Sequence, residues 1–375
     1  MGHPVGSGCP SASLAIPEVD GGADVEPDVP AEGEVDDGDP VQAARTTRVP
    51  AANRAIEVRI WVLPKQQAYR ELRDDTDDHL LAPTDYRGDA GSEGKETTMN
   101  TVASEDGTRI AFDRSGHGPT VILVGGAMQH RAIDHSTARL AQLLSPTFTV
   151  YHYDRRGRGD SGDTAPYAVE REIDDIDALI RDAGGSASLF GMSSGAVLSL
   201  DAADSGLAVT QLALYEPPFM VDDSRPPVPE DYRERLTAML SEGRRGDAVE
   251  LFLTEAVGVP PDAVSPMRGA PFWPGLESVA HTLAYDDAIM GDLTSGKPLP
   301  AARWARVTIP TLVIDGGDSP AWARNAVQAT VDVLPRAERR TLDGQTHQVD
   351  PEVLAPLLDE FLADRSASER RMDLT

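Results

Sequence analysis

An α/β domain, with a mostly parallel central sheet flanked by helices, is the fold class predicted for residues 99–364, and three observations predict it. Short apolar runs of strand length alternate with amphipathic stretches of helix length, the pattern of crossover connections between parallel strands. Glycine-rich turns follow several of the runs directly. One interval, about 220–300, breaks the alternation with successive helical patterns, as expected of a helical cap inserted at the C-terminal end of a strand.

Each element has its own signal. Residues 101–104 and 108–112 flank Glu105-Asp106-Gly107, a turn sequence between two β-prone runs, which predicts a hairpin. The run 121–124 is a buried strand entering Gly125-Gly126-Ala127, and a helix around 132–144 leads to a second strand at 148–153. Apolar residues at Ile173, Ile176, Leu179 and Ile180 mark one face of a helix. Strands follow at 187–190 and 209–215, and helices inside the cap at 232–240 and 248–256. A strand at 311–314, a helix at 321–334, a strand at 339–342 and a helix at 351–362 complete the pattern. The polar segment 365–371, within a tail running to residue 375, is expected to fray.

The 375 residues carry a formal charge of −28, which disfavours nonspecific attraction to nucleic acid or to an anionic membrane. It says nothing about the charge of a small-molecule substrate, the expected partner, and the oligomeric state stays open. Cys9 is the only cysteine, so no intrachain disulfide, CxxC pair or cysteine nucleophile is available to the α/β region. No apolar run is long enough to insert in a membrane, and the start lacks the features of a signal peptide, which makes the cytoplasm the default location.

Residues 1–98 read differently. Asp20, Asp24, Glu26, Asp28, Glu32, Glu34, Asp36, Asp37 and Asp39 are interleaved with Gly, Pro and Ala, and such a segment cannot bury enough apolar surface to offset its ordering entropy. An alternating run at 55–63 is a marginal strand inside this extension. Lys95-Glu96 can be encoded as AAG-GAG, a ribosome-binding sequence at a suitable distance from Met99. Translation starting naturally at Met99 is therefore one reading of the extension, and an acidic regulatory tail is the other.

The feature richest in chemistry is Gly191-Met192-Ser193-Ser194-Gly195, between a strand and a helix-compatible stretch. A serine at the centre of G-x-S-x-G sits on a sharp turn, with glycines on both sides admitting close backbone neighbours, so that its hydroxyl stands over the sheet. The plainer reading is a small-residue turn that packs a helix on a sheet.

Taken in order, Gly125-Gly126-Ala127, the segment Asp154-Arg155-Arg156-Gly157-Arg158-Gly159-Asp160-Ser161-Gly162, the Ser193 pentapeptide and Gly344-Gln345-Thr346-His347 resemble the α/β-hydrolase family over residues 99–364. In that family the nucleophile precedes the acid and the histidine comes last. The resemblance implies Ser193 as nucleophile, Asp318 as acid and His347 as base, with the backbone N–H groups of Ala127 and Ser194 as oxyanion donors. The family commonly sets its carboxylate three residues after a loop glycine. Counted from Gly316, that register falls on Ser319, so Asp318 stands one residue early. Glu216, after the strand ending at Tyr215, is the alternative acid, whereas Asp315 reads as part of its strand. Family members often carry histidine where Gly125 stands, which removes a side-chain brace from the oxyanion loop.

Other residues invite competing readings. The glycine-rich run 154–162 is neither GxGxxG nor a Walker A sequence and reads as a tight structural loop, with Asp154 and Asp160 as candidate partners for its arginines. His152 reads as structural, while His130, His135 and His281 are candidates for substrate contact. Their spacing matches no metal motif, and the resemblance implies neither metal nor cofactor. Phe219, Met220, Met267, Phe272, Trp273, Leu276 and Met290 suit either an acyl pocket or the packing of the cap. The chemistry expected is hydrolysis of a carboxylic ester or thioester through an acyl-enzyme. A noncatalytic scaffold is the alternative, as is a lyase, acyltransferase or C–C hydrolase using the same site.

Overall fold

Residues 100–372 are described by the structure, a computed structural model, with side chains described to residue 363. The acidic extension, the run at 55–63, Cys9 and Met99 lie outside the described residues. The chain enters through β1 (Asn100–Ala103) and β2 (Arg109–Gly116), an antiparallel hairpin in which Val102 faces Ile110. Its turn is closed by the Thr108 N–H donating to Asp106 Oδ1 at 2.9 Å, with Gly107 at φ +82°.

Six further strands follow: β3 (Thr120–Val124), β4 (Thr149–Tyr153), β5 (Ala187–Met192), β6 (Val209–Tyr215), β7 (Thr311–Gly316) and β8 (Ala337–Leu342). All eight form one sheet in the order β1-β2-β4-β3-β5-β6-β7-β8, parallel from β4 to β8. Strands β3 to β7 are near-continuous apolar runs because helices cover both faces of the sheet. The chain steps from β3 outward to β4 and then back across to β5, so the strand order reverses between β3 and β5. Such a switch point opens a crevice at the carboxyl ends of the two strands, where ligands of open α/β sheets bind.

Helices fill the layers. α1 (His135–Leu144) begins at Asp134, whose Oδ1 accepts from the Thr137 N–H at 3.0 Å. α2 (Val169–Asp182) buries Ile176, Leu179 and Ile180 and carries Glu170 and Glu172 in its first turn and Arg181 in its last, signs that suit the helix dipole. α3 (Ser194–Asp204) is buried on nearly every side, which suits its run of small and apolar residues and holds its N-terminal end rigidly.

Between β6 and β7 the chain leaves the sheet for α4 (Tyr232–Ser241), α5 (Arg245–Leu251), α6 (Pro261–Val264), α7 (Trp273–Ser278) and α8 (Leu283–Met290). The single helix expected at 248–256 is instead α5 continued by a π-helical turn, Phe252–Val257, which ends at Gly258 in the left-handed region. These helices have an apolar cluster of their own, including Leu236, Val249, Trp273 and Leu283. Phe219 and Met290 belong instead to the core on one face of the sheet, where Phe219 packs against Trp304. Those two residues therefore pack the fold, while Trp273 is buried in the cluster of the inserted helices.

The chain closes with α9 (Ala321–Val333) and α10 (Pro351–Met372). The last helix continues through the segment expected to fray. No helix among the described residues is long and apolar enough to cross a membrane.

Candidate active site

Ser193 follows β5 directly and has φ +56° and ψ −126°, a conformation that side-chain-bearing residues rarely adopt. Its glycine neighbours explain how the turn is tolerated. A Cβ on Gly195 would lie 2.3 Å from the Val124 carbonyl oxygen, and one on Gly191 2.5 Å from the Gly195 carbonyl oxygen. Only bare backbone fits at either position. The Ser193 N–H donates to the Tyr215 carbonyl at 2.9 Å, which ties the turn to the end of β6.

The loop after β3 lies against this turn. A Cβ on Gly126 would stand 2.9 Å from Ser193 Cβ. The Gly126 N–H donates to Gln129 Oε1 at 2.5 Å, and Gln129 Nε2 donates to Asp134 Oδ2 at 2.9 Å. Gln129 thus braces the loop where Gly125 offers no side chain. Ser194 opens α3, so its N–H is one of the first-turn donors that have no partner within the helix. Among the described residues, no acceptor is assigned to the Ala127 N–H.

Glu216 and His347 meet beyond the carboxyl end of the neighbouring strand, β6. Glu216 stands one residue past β6 at φ +43° and is buried, with 1% of its surface exposed. Its Oε1 accepts from the Gly316 N–H at 2.9 Å, and its Oε2 lies 2.8 Å from His347 Nδ1. Burial pushes the Glu216 carboxyl up, but the hydrogen bond and charge of His347, nearby Ser319 and the Gly316 N–H together hold it below its ordinary value. Ser319 contributes by proximity, since its buried hydroxyl completes no hydrogen bond of good geometry. An ionised carboxylate only accepts, so it selects the His347 tautomer with the proton on Nδ1 and leaves Nε2 as the basic nitrogen.

Close backbone approach carries His347 to this position. A Cβ on Gly316 would fall 2.2 Å from the Gln345 carbonyl oxygen, so glycine at the end of β7 admits the histidine loop. The Tyr215 hydroxyl donates to the Thr346 carbonyl at 2.5 Å.

The carboxylate on His347 is therefore that of Glu216, which corrects the expectation of Asp318. Asp318 is exposed, and its backbone N–H donates to the Gln345 carbonyl at 2.9 Å. It steadies the histidine loop through the main chain while its side chain faces water. Asp315 lies in β7, fully buried, where its carboxylate accepts from Arg339 Nη2 at 2.7 Å and Thr341 Oγ1 at 2.8 Å.

The loop arginines also differ from expectation. Arg131 takes Asp154 and Asp160, at 3.2 and 3.0 Å. Arg155 pairs with Glu172 at 2.7 Å and Asp286 at 2.8 Å, Arg156 with Asp175 at 2.7 Å, and Arg158 with Asp286 at 2.7 Å. These partners lie on α2 and α8, too far along the chain for spacing to reveal them. His152 is buried in β4, and burial lowers its pKa against the opposing pull of Asp134, Asp154 and Asp113. His130 is also buried, and neither ring nitrogen has a hydrogen-bond partner among the described residues. No group of three or more potential metal ligands occurs among the described residues.

A reversal of strand order between β3 and β5, a serine on a strained strand-to-helix turn and a carboxylate–histidine pair at the adjacent strand end are the features of an α/β scaffold of the hydrolase class. The sequence model of the alpha/beta hydrolase family matches residues 121–357. An alpha/beta hydrolase from Sphaerobacter thermophilus is 62% identical in sequence, with a TM-score of 0.65, over 70% of this chain and 100% of that one. A hydrolase from Pseudomonas aeruginosa shares the fold at 22% identity and a TM-score of 0.53, over 71% of this chain and 99% of that one. A thermophilic esterase from Thermogutta terrifontis does so at 19% identity and a TM-score of 0.50, over 71% and 98%. A search of curated proteins finds no match. The chain belongs to the alpha/beta hydrolase family.

Proposed function

We propose that the chain is a serine hydrolase that cleaves a carboxylic ester or thioester through an acyl-enzyme, without a cofactor. The observation that carries this reading is the pairing of the buried Glu216 carboxylate with the half-buried His347 beside the strained Ser193 turn. Ser193 Oγ attacks the carbonyl carbon as its proton passes to His347 Nε2. The carbonyl oxygen becomes an oxyanion facing the Ala127 and Ser194 N–H groups. When the tetrahedral species collapses, the bond to the leaving group breaks and His347 returns the proton to the departing alcohol or thiol. Water repeats the sequence on the acyl-enzyme, giving up a proton to His347 and releasing the acid and Ser193. Glu216 keeps the imidazole in the required tautomer and stabilises its charged form.

Labelling with a fluorophosphonate, which phosphonylates activated serines, tests the reading. The expected result is labelling of the wild type that disappears in Ser193→Ala, together with turnover of short-chain esters or thioesters. Folded wild-type protein that neither labels nor hydrolyses would overturn it and favour a noncatalytic scaffold. A labelled serine with acyl transfer to an acceptor other than water would point to an acyltransferase.

A further inference from the structure

Beneath the oxyanion loop lies a cluster of charges that the proposed chemistry does not use. Arg155, Arg158, Glu172 and Asp286 are all buried, none with more than 3% of its surface exposed. Two guanidinium groups face two carboxylates, so the cluster is electrically balanced and exerts little net field at a distance. Its effect on the site is local.

That local effect falls on one peptide bond. Arg158 Nη1 donates to the Gly126 carbonyl at 2.5 Å, and the same peptide unit carries the Ala127 N–H. A cation on a carbonyl oxygen draws charge through the planar amide, strengthens the opposite N–H as a donor and fixes where it points. Arg158 is held in turn by Asp286 Oδ2 at 2.7 Å and by Thr282 Oγ1 at 3.1 Å. Asp286 Oδ1 accepts from the Ser194 hydroxyl at 2.7 Å and from Arg155 Nη1 at 2.8 Å. Arg155 is locked by two bonds of 2.7 Å to Glu172, on α2. Burial pushes the Asp286 carboxyl up, but Arg158, Arg155 and Ser194 hold it below its ordinary value. Burial and Arg155 lower the Arg158 pKa, yet a guanidinium starts so high that it keeps its charge.

One carboxylate on α8 thereby reaches both sides of the oxyanion hole. It reaches the Ala127 side through Arg158 and the Ser194 side through the hydroxyl. We propose that Arg158 is a positioning residue for the oxyanion hole, clamping and polarising the Gly126–Ala127 peptide, and that Asp286 holds its guanidinium in place. The proposal rests on the hydrolase reading above. A fastening role alone would leave the Gly126 carbonyl free of the guanidinium.

The test compares wild type with Arg158→Gln, Arg158→Lys and Arg233→Ala. Arg233 joins α4 to α8 by an ion pair between its Nε and Asp287 Oδ2 at 2.5 Å, so its removal loosens the inserted helices without touching the loop. Steady-state ester hydrolysis, inhibition by an alkyl boronic acid and the amide nitrogen shift of Ala127 are measured on protein checked for folding. Losing an oxyanion donor costs about 10²–10³ in rate, and Arg158→Gln leaves the donor present but unclamped, so kcat should fall about 10–100-fold. KM should change little, boronate affinity should weaken in parallel, and the Ala127 nitrogen should move upfield. Arg158→Lys, which keeps a cation for the carbonyl, should recover part of kcat, and Arg233→Ala should keep wild-type values. Unchanged kcat and Ala127 shift in a folded Arg158→Gln would overturn the proposal, as would an equal loss in Arg233→Ala. If Arg158→Gln does not fold, Arg158→Lys decides by the same measurements. An inert wild type would remove the hydrolase reading alone, because the Ala127 shift decides the clamp without turnover.

Discussion

Replacing Glu216 with glutamine keeps the volume of the side chain but reverses the polarity of one of its hydrogen-bonding atoms, and both atoms are committed. Oε1 accepts from the Gly316 N–H at 2.9 Å, while Oε2 faces His347 Nδ1 at 2.8 Å. If the glutamine oxygen stays on Gly316, its NH₂ faces His347 and forces the tautomer with the proton on Nε2, which cannot accept from serine. If the amide turns round, its NH₂ opposes the Gly316 N–H and leaves that buried donor unsatisfied, at about 1–3 kcal/mol. The productive orientation is thus disfavoured by about 5- to 150-fold, from that same cost. Loss of the negative charge that stabilises the imidazolium adds to this. The upper bound is the loss of about 10⁴ in kcat seen when the triad carboxylate of a serine protease becomes an amide. Glu216→Gln should therefore lower kcat by about 10²–10⁴ on a p-nitrophenyl ester, with a matching fall in the rate of fluorophosphonate labelling. Asp318→Asn, at an exposed side chain, should stay within about twofold of wild type. A near-normal Glu216→Gln beside a crippled Asp318→Asn would refute the assignment of Glu216 as the acid.

Two further outcomes follow from backbone crowding and from burial. Gly195→Ala sets a Cβ 2.3 Å from the Val124 carbonyl oxygen and 2.6 Å from that of Gly125, so thermal denaturation should show a marked loss of stability together with loss of labelling; an unchanged melting temperature would contradict the packing. Burial lowers the His152 pKa, so the unfolded chain takes up that proton first. The associated stability is complete above about pH 6.5 and is lost as pH falls towards the folded value. In urea titrations across that range, His152→Gln should show a shallower dependence on pH than wild type, and identical profiles would count against the buried neutral imidazole.

Periodicity and turn chemistry made most of the fold legible. Apolar runs at 121–124, 209–215 and 311–314 stand in strands with ends shifted by at most two residues, because both faces of the sheet are covered and the runs have no alternative use. The last helix runs beyond the expected 351–362, since the polar sequence that follows carries no apolar stripe to signal its extension. Gly191, Gly195 and Gly316 were visible as residues, yet the reason glycine is needed at each is a carbonyl from a distant segment.

The candidate site divides along the same line. Ser193 and His347, the proposed nucleophile and base, could be singled out from local context, because a strand-to-helix turn and a histidine's loop are written in adjacent residues. The proposed acid could not, because Asp318 and Glu216 both follow strands and only the fold shows that Glu216 lies against the imidazole. The partners of Arg158 carried no local signal, since the Gly126 carbonyl and Asp286 are contributed by other segments. Strand and helix identity, and the strand-to-helix turn at Ser193, follow from interactions among neighbours in the chain, and the sequence alone determined them. The Glu216–His347 pair, and the Arg158–Asp286 clamp on the Gly126 carbonyl, were decided only by tertiary structure, because hydrogen bonds between residues about 130 apart exist only once the sheet has brought its strand ends together.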